Sequence, residues 1–123
     1  MSGRELELAR QFLDALAVAA TTGDSSGIDA FLAEDVDWLT PQVSLHGIRE
    51  VHDRFSLISP REKLEVEYGE LELTDGGDGR IVSDVQETYR MKETGDFAYA
   101  RERRIELTIR GDKIAHYETR FAG

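Results

Sequence analysis

Among many surface-type charges, the side chains whose type or clustering suits proton transfer near neutral pH or anion binding are few and scattered. There are three histidines, four tyrosines and a basic cluster at Arg101, Arg103 and Arg104. His46, His52 and His116 fall on a predicted loop, helix and strand. No His-x-His or His-x-x-x-His pair exists, so zinc has no local signature and no metal site is expected. The absence of cysteine removes thiolate nucleophiles, cysteine metal sites and disulfides. No cofactor is called for. His52 lies four residues after Ile48 and three before Phe55, on the apolar side of a predicted helix. A buried imidazole there could act as a general base toward a ligand. The plainer alternative is a histidine at the helix margin, bonded to backbone or water. His46, beside Gly47, reads as a loop residue at the helix start, and His116 as an outward-facing strand residue.

Two further side chains bear on a binding site. Trp38 is the single tryptophan, on a short predicted strand. It is placed either to stack on a ligand or to fill the core, since aromatic side chains dominate both settings. Arg103 poses a sharper question. Pointing into an apolar hollow it needs a carboxylate, from the protein or from a ligand, because an unpaired buried charge is too costly. At an open rim it would reach water instead. For the whole arginine cluster the plain reading is cross-strand pairing with neighbouring acids.

These residues need a scaffold, and 123 residues set its scale at a single domain spanning 1–123. Hydrophobic residues at 40% and charged residues at 33% describe a globular chain rather than a disordered one. The net charge of −10 is uneven: residues 1–79 carry −11 and residues 80–123 carry +1. Such a chain repels phosphate backbones, so nucleic acid is not an expected partner. No apolar run approaches the ~20 residues that span a bilayer, and the N-terminus lacks a signal-peptide pattern. A cytoplasmic location without membrane association is the default expectation.

Residues 4–20 predict a helix, with Leu6, Ala9, Leu13, Leu16 and Ala20 at three- and four-residue steps and Phe12 widening the stripe. Gly23 stops it. Asp24 and Ser25 offer N-caps for a short second helix carrying Ile28, Phe31 and Leu32. Residues 36–40 read as a strand ended by Pro41. Gly47 opens a third helix with Ile48, Val51, Phe55 and Ile58 on one face, closed by Ser59-Pro60. From residue 62 the period becomes two. Leu64, Val66 and Tyr68 share a face, and then Leu71 and Leu73 carry the apolar pattern in the opposite phase. One extra residue at Gly69-Glu70, a β-bulge, restores a single buried face and bends the strand. Residues 75–79 predict a turn, and 80–92, 97–110 and 113–121 three hairpin-joined antiparallel strands. Three helices followed by a meander is an α+β layout.

The order of elements resembles the nuclear-transport-factor-2-like superfamily, which includes ketosteroid-isomerase-like domains and SnoaL-like polyketide cyclases. Four passages carry it: Gly23-Asp24 after helix 1, residues 31–38 with Phe31, Asp35, Val36 and Trp38, residues 47–51 with Phe55, and Gly111-Asp112-Lys113-Ile114 before the last strand. The resemblance implies a cone: a strongly curved, mostly antiparallel sheet whose pocket is enclosed by three N-terminal helices. It implies pocket positions at Phe12, Leu16, Trp38, Thr40, Phe55, Arg103, Ile105, Leu107 and Thr119, and a homodimer through the convex sheet face. Leu16, Thr40 and Ile105 fall where the family's steroid isomerases place a tyrosine, a basic aspartate and a protonated aspartate. None of the three exchanges a proton at neutral pH, so that isomerase constellation is not expected. The epoxide hydrolases' Asp–Arg–Asp set finds only Arg101, Arg103 and Glu118 as partial counterparts.

Two functions follow from this. One is a SnoaL-like enzyme performing isomerisation, cyclisation or dehydration on an apolar, oxygenated substrate, with acid–base groups from His52 and Tyr89 or Tyr117. The other is a non-catalytic ligand-binding or dimerisation module on the same fold. Either takes a small apolar or anionic ligand.

Overall fold

Helix α1 (Ser2–Thr22) forms where the apolar stripe predicts and runs two residues further at each end. Ala9, Phe12, Leu13, Leu16 and Ala19 are buried along it, as a stripe of 3.6-residue period requires. Its end is tied down by side chains: Thr21 Oγ1 donates to the Ala17 carbonyl at 2.9 Å and accepts the Val66 amide at 3.0 Å. The molecule is a computed structural model that describes residues 2–22, 26–57, 64–69 and 72–121. The expected stop at Gly23, the caps at Asp24 and Ser25, Ile58, Ser59-Pro60 and Leu71 lie outside those residues, as does the side chain of Ala20.

Helix α2 (Ser26–Asp29) is a single turn that buries Ile28. It does not reach Phe31 and Leu32, as the apolar pattern predicts. The Phe31 amide closes back on the Ile28 carbonyl at 2.9 Å, and Leu32 already belongs to strand β1 (Leu32–Leu39). Beyond β1 the chain reverses in four residues, with Thr40 Oγ1 accepting the amides of Gln42 and Val43 at 3.2 and 3.1 Å. Strand β2 (Ser44–His46) follows, so His46 ends a strand rather than lying in a loop. Three residues are too few to show a period, which is why the sequence hides it. Helix α3 (Ile48–Leu57) starts after Gly47, whose φ of +89° suits glycine. Glu50 accepts the His46 amide at 3.0 Å, covering a donor at the helix start.

Strands β3 (Leu64–Tyr68), β4 (Glu72–Gly77), β5 (Arg80–Met91), β6 (Phe97–Arg110) and β7 (Lys113–Phe121) complete the sheet. Its order is β2-β1-β7-β6-β5-β3, with β4 also on β5. All pairs are antiparallel except β1 with β7, which is parallel. Strands β3 and β4 share one edge of β5. Between the Tyr68–Glu87 and Glu72–Asp84 pairs the chain takes four steps against three on β5. The expected bulge at Gly69-Glu70 falls partly outside the described residues; on either side of it Tyr68 and Leu73 both pack on the core. The β4–β5 turn is tighter than expected. Pairing runs to Gly77–Arg80, leaving Asp78 and Gly79 at φ 54° and 79°, the conformation of a type I′ hairpin.

The result is the α+β cone with the helices against the inner face of a curved sheet. Inner-face residues alternate along each strand: Ile81, Ser83, Val85, Glu87 and Tyr89 on β5, and Ile105, Leu107 and Ile109 on β6, are all buried. The outer face is laced with charge pairs, among them Arg104–Asp84 at 3.0 Å and Arg120–Glu106 at 3.1 Å. No described helix is long and apolar enough to cross a membrane.

Candidate functional site

Between α1, α3 and the β1–β2 turn, part of the inner sheet face is left uncovered. The gap is a pocket of about 150 Å³. Its apolar wall comes from Leu16 on α1, Phe55 on α3 and Trp38 on β1. The Trp38 indole stacks on Tyr117 with centroids 4.0 Å apart and planes 24° apart, and Phe55 meets the indole edge-on at 6.0 Å. Offset-stacked and edge-to-face arrangements are the ones aromatic quadrupoles favour. Thr40, Gln42 and Val43 from the β1–β2 turn form one lip.

The opposite wall is polar. Glu87, in the middle of β5, occupies an inner-face position and its side chain is only 6% exposed. Strand β6 sets Arg101 directly across from it, with Arg103 one inward position further. Both arginines close on a single carboxylate oxygen. Arg103 Nε reaches Glu87 Oε1 at 2.6 Å and Arg101 Nε reaches it at 3.0 Å. The Tyr89 hydroxyl donates to the same oxygen at 3.4 Å and accepts from Arg101 Nη2 at 2.7 Å. Arg103 Nη1 donates to Thr119 Oγ1 at 3.5 Å. Glu87 Oε2 makes no hydrogen bond among the described residues. Phe121 lies over both guanidinium groups, at 5.0 and 4.8 Å, and Tyr99 stacks on Tyr89 at 4.4 Å. Arg54, near the end of α3, also lines the pocket and forms no ion pair with a described residue. The wall thus carries three guanidinium groups against one carboxylate.

Burial acts on the phenols. It pushes Tyr117 and Tyr68 above the usual tyrosine range, with nearby Glu87 adding to the effect and Arg103 opposing it. Both rings stay protonated at neutral pH and act as donors rather than bases. Burial alone would lower Arg101, but the interactions with Tyr89 and Glu87 outweigh it and hold the guanidinium more firmly charged than usual.

The expected site residues separate into three groups. Leu16, Trp38, Thr40, Phe55, Tyr89, Arg103 and Tyr117 come together around the pocket. Phe12, Ile105 and Leu107 do not reach it: each is 1% exposed or less and belongs to the packed core. Phe12 sits edge-on to Phe31, Trp38 and Tyr117, behind the pocket wall. The hollow is therefore shallower than a cone lined by these three would be. Thr119 is buried beneath Arg103 as its hydrogen-bond acceptor. His52 is misplaced by the helical pattern. Val51, not His52, centres the buried face of α3, and the imidazole is 51% exposed with Asp29 Oδ2 at 3.6 Å. His116 bonds Glu118 at 3.2 Å, away from the pocket lining, and His46 bonds Asp37 at 2.8 Å. Among the described residues no group of acids and histidines is placed to hold a metal ion.

Glu87 is the residue the sequence reading missed. Its signal was parity: it lies among Ile81, Val85 and Tyr89 at two-residue steps. A lone acid in such a series, opposite arginines in phase with Ile105, marks a buried ion pair.

No protein-family model matches this sequence, and no curated protein matches it. Solved structures do. An NTF2-like protein from Anabaena variabilis superposes with a TM-score of 0.79 at 20% identity, over 100% of this chain and 92% of that one. An LEH-like epoxide hydrolase from M. tuberculosis gives 0.72 at 11% identity, over 98% and 84%. A protein of ketosteroid isomerase-like fold from Catenulispora acidiphila, solved with trimethylamine, gives 0.67 at 14% identity, over 91% and 85%. The likeness shows the fold: this chain has the NTF2-like architecture.

Proposed function

We propose that the protein binds a small organic molecule in the pocket between α1, α3 and the inner sheet face. One observation carries this reading. A glutamate and two arginines are held at the wall of an aromatic cup, where apolar side chains of similar size would serve stability as well or better. A cluster kept at that cost, with guanidinium N–H groups and Glu87 Oε2 left over, suits an oxygen-bearing ligand. The test is a thermal-shift screen of small acids, alcohols, amides and polycyclic compounds, followed by titration of Trp38 fluorescence. If no compound in such a set raises the melting temperature or moves the emission, the reading fails.

A second reading, acid–base catalysis of the isomerase, cyclase or dehydratase kind, is favoured by Glu87 and the phenols. Glu87 Oε2 is the one pocket carboxylate oxygen available to take a proton. Protonated Tyr117 and Tyr68, with Arg101, are donors for an oxyanion developing on the substrate. In this reading Glu87 takes the role first given to His52. Glu87→Gln would then abolish turnover of a screened compound while sparing its binding. Retained turnover rules Glu87 out as the base. A homodimer through the outer sheet face belongs to the proposal on the strength of the fold alone, and sedimentation at 13.8 kDa would remove it.

A further inference from the structure

We infer that the pocket is fitted to a single-ring aromatic carboxylate, a molecule of the size and charge of benzoate. The inference rests on the small-molecule reading above and narrows it by size, shape and charge, each from a separate observation.

Size comes first. The space is about 150 Å³. An apolar cavity of about that volume accommodates one benzene ring, whereas drug-sized ligands occupy roughly 300–1,000 Å³. A fused tetracycle is larger than this space, and Tyr117 in its wall and Phe12 behind that wall are packed at 4% exposure or less. Shape comes next. The apolar wall is aromatic, with Trp38 stacked on Tyr117 and Phe55 set at a steep angle to the indole. What such a wall offers a ligand is ring edges and partial faces, which an aromatic ring meets in edge-to-face or offset contact.

Charge decides the rest. Arg101 and Arg103 turn their Nε edges to Glu87, and each gives one Nη to a neighbouring hydroxyl. The other Nη of each makes no hydrogen bond among the described residues. Arg54 adds a third guanidinium at the lip. One Glu87 charge against three arginines leaves two positive charges on the pocket wall, in a chain whose net charge is −10. A local surplus of the opposite sign to the whole molecule attracts an anion at short range only. The planar guanidinium edge matches a carboxylate in a way a lysine does not. In the bound state the carboxylate meets the free Nη groups and the ring lies against Trp38.

The experiment is equilibrium titration of the full chain, read by calorimetry and by Trp38 emission. The probes are benzoate, benzamide, acetate, cyclohexanecarboxylate and cholate. Benzoate is expected to bind at least tenfold more tightly than each of the others. Arg54→Gln, which breaks no ion pair with a described residue, should weaken benzoate at least threefold and leave benzamide unchanged. Arg103→Gln should weaken it more. Should that variant not fold, Arg54→Gln and the benzoate–benzamide ratio carry the test. Equal binding of benzamide and benzoate overturns the charge assignment, and tighter binding of cholate overturns the size assignment. Either result leaves the small-molecule reading standing. If no probe binds, neutral and polycyclic ones included, this inference falls, and the broader screen decides whether the pocket reading falls with it.

Discussion

Replacing Glu87 by leucine is the most informative single change. It removes the one acceptor shared by Arg101 and Arg103 and leaves two guanidinium groups in a partly dry wall. Stripping one partner from a buried ion pair costs about 3–5 kcal/mol, mostly the price of the charge left behind. Arg103, 15% exposed, falls in that range, while Arg101, 29% exposed, keeps some access to water and adds less. The sum is about 4 kcal/mol. For a domain of this length each kcal/mol lowers the melting temperature by ~3–6 °C, so Glu87→Leu should melt about 12–24 °C below the parent. Urea unfolding followed by circular dichroism measures the same loss as a lower midpoint at constant slope. The control is Glu87→Leu combined with Arg101→Leu and Arg103→Met. Removing the whole ionic group is often neutral or stabilising, so the triple variant should recover most of the loss. A single variant within about 1 kcal/mol of the parent, or a triple variant as unstable as the single one, would refute the view that charge rather than lost volume is at stake.

Other outcomes can be checked directly. Phe12→Ala empties the space between Phe31, Trp38 and Tyr117 and should cost about 3–5 kcal/mol in denaturant unfolding, with Trp38 emission moving to the red. Gly79→Ala should cost ~1–3 kcal/mol, since φ is +79° and the new Cβ would run into the Ile109 carbonyl oxygen. Gly77→Ala, at φ +85° with open space around it, should cost less. By proton NMR, His46 should titrate above the usual histidine value, because Asp37 bonds its ring and attracts its charge. Its folded-state affinity for a proton is raised, so the contribution to stability is complete below the ordinary value and disappears as pH climbs through the raised one. Asp37→Asn should return the titration to the ordinary range.

Much of the scaffold was legible because its signals are repeated. The α1 stripe offers five or more concordant apolar positions, and β6 shows Ile105, Leu107 and Ile109 at strict alternation. The change of phase between Tyr68 and Leu73 was legible too, and both side chains pack on the core. Short elements were not legible. Strand β2 has three residues, α2 has four, and neither length can express a period. The site was half legible. Arg101 and Arg103 are in strand phase with Ile105, but their partner on β5 depends on the hairpin register, Glu87 opposite Arg101, which no local pattern states. His52 failed for a related reason. Positions three and four from apolar neighbours define a face only to within one residue's rotation, and Val51 took its centre.

Strand β7 stands third in the sheet order, with β1 on one side in parallel and β6 on the other. It follows the other described strands in chain order, so a ribosome must release residues 113–121 before the segment begun at Leu32 can find its neighbour. Until then β1 and β6 each lack the neighbour that β7 supplies, and an unpaired strand margin is one that other chains can recognise. Slow synthesis or early termination near residue 110 should thus yield aggregation rather than a smaller folded domain, since assembly here waits on long-range closure.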